Sequence, residues 1–151
     1  MKNLHTISLL FFFLIGIISC KNNAQKPFGK DPALEKRKWM LVELQGQKIE
    51  AAADEQQIHL TFEGESNTFG GNAGCNQCNG MYTTQDDMIR LHMMAVTKMA
   101  CPAMETESKF LKSLDESNRY VLQSIKENKQ NVEYLYLYKD QEMVMKLKAF
   151  F

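Results

Sequence analysis

Apolar and polar residues alternate with a period of two in several short stretches of the chain. Ile58, Leu60 and Phe62 stand against His59, Thr61 and Glu63, and Ile89, Leu91 and Met93 stand against Arg90 and His92. Near the end, Met143, Met145, Leu147 and Ala149 alternate with Val144, Lys146 and Lys148. Such alternation marks strands with one buried face. Residues 39–44 form a further strand-like run closed by Gly46, and residues 120–125 and 132–138 flank a polar turn at 127–131. The period changes once. Pro102 suits the first turn of a helix, Glu105 and Glu107 sit where the helix dipole favours anions, and Phe110, Leu111 and Leu114 fall on one stripe, so a helix is expected over 102–118. About eight short strands with one helix predict a mainly β, α+β domain, an antiparallel barrel or strongly curved sheet.

Two stretches fall outside this pattern. Residues 70–80 read Gly-Gly-Asn-Ala-Gly-Cys-Asn-Gln-Cys-Asn-Gly, and glycine and asparagine are the residues that adopt positive φ most cheaply. A sharply folded backbone feature between two strands is expected there, with no long strand of its own. At the other end of the chain, Lys2 precedes an apolar run over 9–18, of signal-peptide length and too short to span a bilayer. Ile17-Ile18-Ser19-Cys20 then resembles a bacterial lipobox, which implies cleavage before Cys20 and its lipidation. Residues 21–36 show no apolar periodicity and read as a tether. The expected organisation is therefore a leader over 1–19, a lipidated tether over 20–36 and a folded domain over 37–151.

Composition fits this organisation: 151 residues, 44% apolar and 24% charged, suit one ordinary globular domain with a leader. Lys plus Arg equal Asp plus Glu at 18 each, so the basic excess of a nucleic-acid binder is missing.

Taken in order, Trp39-x-Leu41, Gly71-x-x-Gly74-Cys75-Asn76, Gly80-x-Tyr82, Thr97-Lys98-Met99-Ala100-Cys101, Glu107-x-x-Phe110 and Leu114 resemble the META domain of HslJ-like bacterial lipoproteins. The resemblance covers residues 37–150. It implies a lipocalin-like eight-stranded barrel with one helix, an envelope location and a link to heat or antibiotic stress. It implies no catalytic residues, and Cys78 matches no position of its pattern.

The cysteines are the first candidate chemistry. With Cys20 lipidated, Cys75, Cys78 and Cys101 remain in an oxidising compartment and can form at most one internal disulfide. Cys75 paired with Cys101 would staple the glycine-rich turn to the loop before the helix, leaving Cys78 as a free, unreactive thiol. Cys75-Asn76-Gln77-Cys78 also has the C-x-x-C spacing of thiol oxidoreductases, although no helix start follows it to stabilise a thiolate. Cys75, Cys78, Cys101 and His92 make an irregular zinc set. Met88, Met93, Met94, Met99 and Met104 could be copper thioethers, or adaptable barrel filler. No metal or cofactor is expected. Asp86-Asp87 and Glu105/Glu107 are the close carboxylates, and a strand-start turn and a helix first turn account for them. Tyr134, Tyr136 and Tyr138 form an aromatic face, either a candidate partner surface or a ladder packed under the helix, the latter favoured.

These readings converge on a non-enzymatic, monomeric, lipid-anchored envelope protein of the outer membrane, facing the periplasm. It would bind another envelope protein or a small ligand, and no nucleic acid. Two alternatives remain open: a pilotin-like chaperone for a partner peptide or acyl chain, and a thiol oxidoreductase using Cys75 and Cys78.

Overall fold

Antiparallel pairing joins nine strands into one sheet, in the order β2-β1-β3-β4-β5-β6-β7-β8-β9, and β1 also pairs with β9 to close a ring. The computed structural model describes residues 31–50, 57–100 and 104–150, with the Met94 side chain excepted. The strands are β1 (Lys38–Leu44), β2 (Gln47–Lys48), β3 (His59–Glu63), β4 (Thr68–Asn72), β5 (Gln77–Gln85), β6 (Met88–Val96), β7 (Arg119–Glu127), β8 (Gln130–Lys139) and β9 (Glu142–Phe150). The two-residue β2 hangs outside the ring, which leaves the eight strands the alternation predicts. Helix α1 (Met104–Glu116) lies between β6 and β7 in the chain. It starts and ends within the expected 102–118, and Pro102 lies outside the described residues.

The hairpins close with turn chemistry that the right-handed twist of strands demands. Asn128 and Lys129 both take positive φ, 47° and 68°, between the paired Glu127 and Gln130, the two-residue turn that suits twisted antiparallel strands. Register shifts between Leu41 and Glu43, between Asn79 and Gly80 and between Leu137 and Tyr138 mark bulges, which bend strands so that a sheet can curl on itself.

One seam of the ring is nearly open. β6 and β7 pair only at Met88↔Arg119. The other neighbours in the ring pair over three to nine registered residues. Inside the ring, Phe110 and Leu114 of α1 join Trp39, Leu60, Ile89, Leu135, Leu137 and Leu147 in one buried cluster. Leu111 packs against that cluster partly buried, so the expected stripe is the face that docks.

The folded part begins earlier than the expected tether allows. Leu34 is fully buried, its carbonyl accepts the Trp39 indole N–H at 2.8 Å, and the buried Asp31 accepts the Tyr120 hydroxyl at 2.7 Å. An apolar side chain and a buried hydroxyl partner make 31–36 a turn that caps the core. Residues 20–30 of the expected tether, and the leader before them, lie outside the described residues.

Candidate functional site

The glycine-rich stretch folds as a hairpin rather than as an isolated turn. β4 and β5 carry most of it, pairing Gly70↔Asn79, Gly71↔Cys78 and Asn72↔Gln77, so the turn proper is only 73–76. Strand pairing wins here because two glycines sit where a side chain has no room. A Cβ at Gly71 would meet the His59 carbonyl, and one at Gly80 would meet the His92 carbonyl and the Phe69 ring. Inside the turn, Gly74 N–H donates to Asn72 Oδ1 at 2.6 Å and Ala73 N–H to the Asn76 carbonyl at 2.7 Å.

Glu107, from the first turn of α1, enters this hairpin from the side. Its Oε2 accepts the backbone N–H groups of Cys75 at 2.8 Å and Asn76 at 2.6 Å, and its Oε1 accepts the Asn76 side-chain amide at 2.7 Å. Asn76 extends the network: its Oδ1 accepts the Thr97 hydroxyl at 2.8 Å and the Met99 N–H at 2.7 Å, and its amide also donates to the Met99 carbonyl at 3.2 Å. Thr97 Oγ1 in turn accepts the Gln77 N–H at 3.0 Å. Three separate pieces of chain are thus tied through one carboxylate and one amide. Glu107 is only 5% exposed. Burial pushes its carboxyl up, but the bonds from the Asn76 side chain and from the Asn76 and Cys75 backbone outweigh burial and hold it below the ordinary 4.5.

The cysteines sit around this network. Cys75 is disulfide-bonded, and its sulfur lies 3.5 Å from the Met99 carbonyl oxygen. Cys78 is free and 2% exposed, facing the core from β5. Burial, and then the negative charge of Glu107, push its thiol up to about 11. Cys75 and Cys78 are therefore not joined to each other, and Cys78 has the reverse of the lowered pKa that a redox thiol needs. Cys101 and Cys20 lie outside the described residues.

A cleft of about 690 Å³ opens at the loose seam between β6 and β7, lined by Met88, Arg90, Leu91 and His92 on one bank and by Asp115, Ser117 and Asn118 at the end of α1 on the other. Ion pairs fix part of its rim: Arg119 with Asp87 at 2.9 Å and Lys139 with Glu116 at 3.2 Å. Asn118 and Asp140 are joined by two hydrogen bonds, of 2.7 and 2.8 Å.

The META domain sequence family matches the chain over residues 32–149. The chain belongs to the META domain family. That family is one of bacterial envelope and stress-related proteins and is generally non-enzymatic. A solved structure, the NMR structure of a protein from Burkholderia xenovorans, is similar in fold, with a TM-score of 0.59 at 22% identity over 83% of this chain and 92% of that one. Comparison with curated protein sequences finds no match.

In this META domain the Gly-Cys-Asn element, the Thr-x-Met element and the Glu of Glu-x-x-Phe are the parts that meet in the Glu107–Asn76 network. The motif is a fastening, and its polar atoms are already engaged. Sequence reasoning placed Glu107 in the helix first turn but missed its burial. The signal was present: Glu107 precedes Phe110 by three residues and Leu114 by seven, which puts a carboxylate on the apolar stripe of the helix.

The remaining candidates disperse. Among the described residues no group of three or more His, Cys, Asp or Glu could hold a metal, and His92 is exposed on the outer face of β6. Met88, Met99 and Met104 are exposed rather than filling the barrel, Met93 is half-buried, and the Met94 side chain lies outside the described residues. Asp86 takes φ 55° in the β5–β6 turn and Asp87 pairs with Arg119, so neither is placed as a catalytic acid.

The tyrosine stripe is not a ladder under the helix. Leu135 and Leu137 share the core with α1, so Tyr134, Tyr136 and Tyr138 stand on the opposite, outer face of β8. Lysines cover it there. Lys146 Nζ lies 4.3 Å from the Tyr134 ring centroid and 5.5 Å from that of Tyr136, and the Tyr134 hydroxyl donates to Glu127 at 2.6 Å.

Proposed function

We propose that this META domain protein is a lipid-anchored, non-enzymatic component of the outer membrane, facing the periplasm, that supports stress tolerance by binding another envelope component. The observation that carries the reading is the state of its most reactive groups. Glu107 is saturated by three N–H donors, Cys75 is bonded, and Cys78 is buried with its thiol at about 11. A disulfide at Cys75 supports an oxidising compartment. The pairing we propose for it is Cys101, because the Cys75 sulfur lies against Met99, two residues before Cys101. The apolar run before Cys20 supports export and acylation. The pilotin-like alternative draws support from the open β6–β7 seam, where Met88 and Leu91 line the cleft, but charges of both signs surround them.

Two measurements test the reading. Cys20→Ser is expected to move the protein from the membrane to the soluble fraction with its unfolding transition unchanged, since in this reading the acyl chains alone hold it there; a Ser variant that stays on salt-washed membranes contradicts anchoring by acylation. Crosslinking of the full-length protein in intact envelopes is expected to capture a defined partner, and a protein that crosslinks to nothing under heat or antibiotic stress contradicts the binding role.

A further inference from the structure

β6 carries an open edge. Across the seam Ile89 N–H donates to the Asn118 carbonyl at 3.1 Å and Tyr120 N–H to the Asp87 carbonyl at 2.8 Å. Backbone groups of successive strand residues point to alternate sides, so those of Leu91 and Met93 face the same way as Ile89 N–H. No residue of β7 pairs with them, because pairing stops at Met88↔Arg119. Arg90 and His92 instead direct theirs to Thr83 and Met81 of β5.

The cleft follows this edge. It touches Leu91, which points into the core, as well as Arg90 and His92, which point out, so it runs along the side of the strand rather than over one of its faces. Beside β7, Ala33 and Arg37 of the N-terminal turn line a smaller cavity of about 190 Å³ together with Leu122, Gln123 and Ser124 and with Glu133 of β8.

Charge indicates what would fill the cleft. Asp87, Glu116 and Asp140 already have partners, whereas Arg90 on one bank and Asp115 on the other have no ion pair among the described residues. A second copy of the chain fits poorly, since a two-fold pairing of β6 edges centred on Leu91 sets Arg90 opposite His92, two basic side chains.

We propose that the β6 edge binds an extended peptide of a partner protein by strand addition, with an acidic side chain beside Arg90 and His92 and a basic one toward Asp115 at the end of α1. The inference deepens the binding reading above and rests on it. Main-chain bonds to Leu91 and Met93 supply affinity, and the charges on the two banks set register and direction.

The test uses the full-length protein and synthetic octapeptides of alternating valine with glutamate and lysine. In the free protein the Leu91 and Met93 amides are expected to exchange with solvent faster than those of Arg90 and His92, and to slow when the peptide is added. Blocking alternate peptide nitrogens by methylation should weaken binding by about tenfold when the blocked set faces β6, and hardly at all for the other set. Arg90→Glu, an exposed change, should weaken the glutamate peptide and favour one with lysine in its place. Equal protection of all four amides in the free protein, no binding by any peptide of the set, or binding indifferent to methylation overturns the proposal. A dimer in sedimentation whose Leu91 and Met93 amides exchange more slowly as protein concentration rises also overturns it, in favour of a second copy. A photo-crosslinker at His92 and another at Tyr136, tested in intact envelopes, separate the two levels. Capture through Tyr136 but not His92 overturns the edge site and leaves the binding reading standing, whereas capture through neither removes both.

Discussion

Glu105 and Glu107 are two residues apart in one helical turn and have opposite fates. Glu105 is exposed and meets Lys109 at 2.8 Å, a surface pair of the kind that contributes little. Glu107 points inward and holds the hairpin turn. The dipole argument accounts for both being acidic, yet only position on the stripe tells them apart, and a carboxylate on an apolar stripe reads as an anomaly until its donors are known. Two of those three donors are backbone N–H groups, which carry no residue identity, and only the third, the Asn76 side-chain amide, is a residue the sequence can show. Cys78 was legible in part: the cysteine count leaves one thiol over, but which thiol depends on register. Its inward position in β5 and its thiol at about 11 predict that iodoacetamide at pH 8 leaves it unmodified in the folded protein and labels it once urea unfolds the chain. Unreduced peptide mapping of the same sample is expected to show Cys75 joined to Cys101. Rapid labelling of Cys78 in the folded state, or a Cys75–Cys78 peptide, would instead favour the thiol oxidoreductase alternative.

At the scale of elements, alternation and turn chemistry made the ring strands and the helix readable, because a strand with one wet face imposes period two on its sequence. The glycine hairpin was not readable in the same way. Its strands are held by backbone pairing with β3 and β6 at positions where side chains would collide, a tertiary demand that leaves small residues and no alternation. The tyrosine stripe shows a different limit. Period two divides β8 into an aromatic and an aliphatic face, but both faces are apolar enough to be the core, and only the partner strands decide which side the helix takes. α1 chooses the leucine side. Leu114, fully buried in that interface, predicts a loss of roughly 2–4 kcal/mol for Leu114→Ala in urea unfolding, and a loss below about 0.5 kcal/mol would mean that the stripe faces water.

The whole molecule is a ring fastened at unequal strength. Seven seams are zipped by registered strand pairs, and the eighth, between β6 and β7, closes at one residue pair where the chain detours through the helix. What stands in for strand pairing near that detour is the Glu107–Asn76 network, which binds the start of α1 and the segment after β6 to the 73–76 turn. The family motif is therefore a structural fastening, and its carboxylate is held ionised to serve it. Because the folded-state pKa of Glu107 lies below 4.5, the unfolded chain takes up its proton first as the pH falls. The contribution of Glu107 is complete above 4.5 and is lost as pH drops through the depressed folded value. The direct measurement is urea unfolding of the protein and of Glu107→Gln across pH 7 to pH 3. The fastening predicts a loss of about 2–4 kcal/mol at pH 7, from bonds to a charged group and a buried donor left facing an amide, and a difference that shrinks below pH 4.5. Equal stability of the two proteins at pH 7, or a loss that does not change with pH, would contradict it.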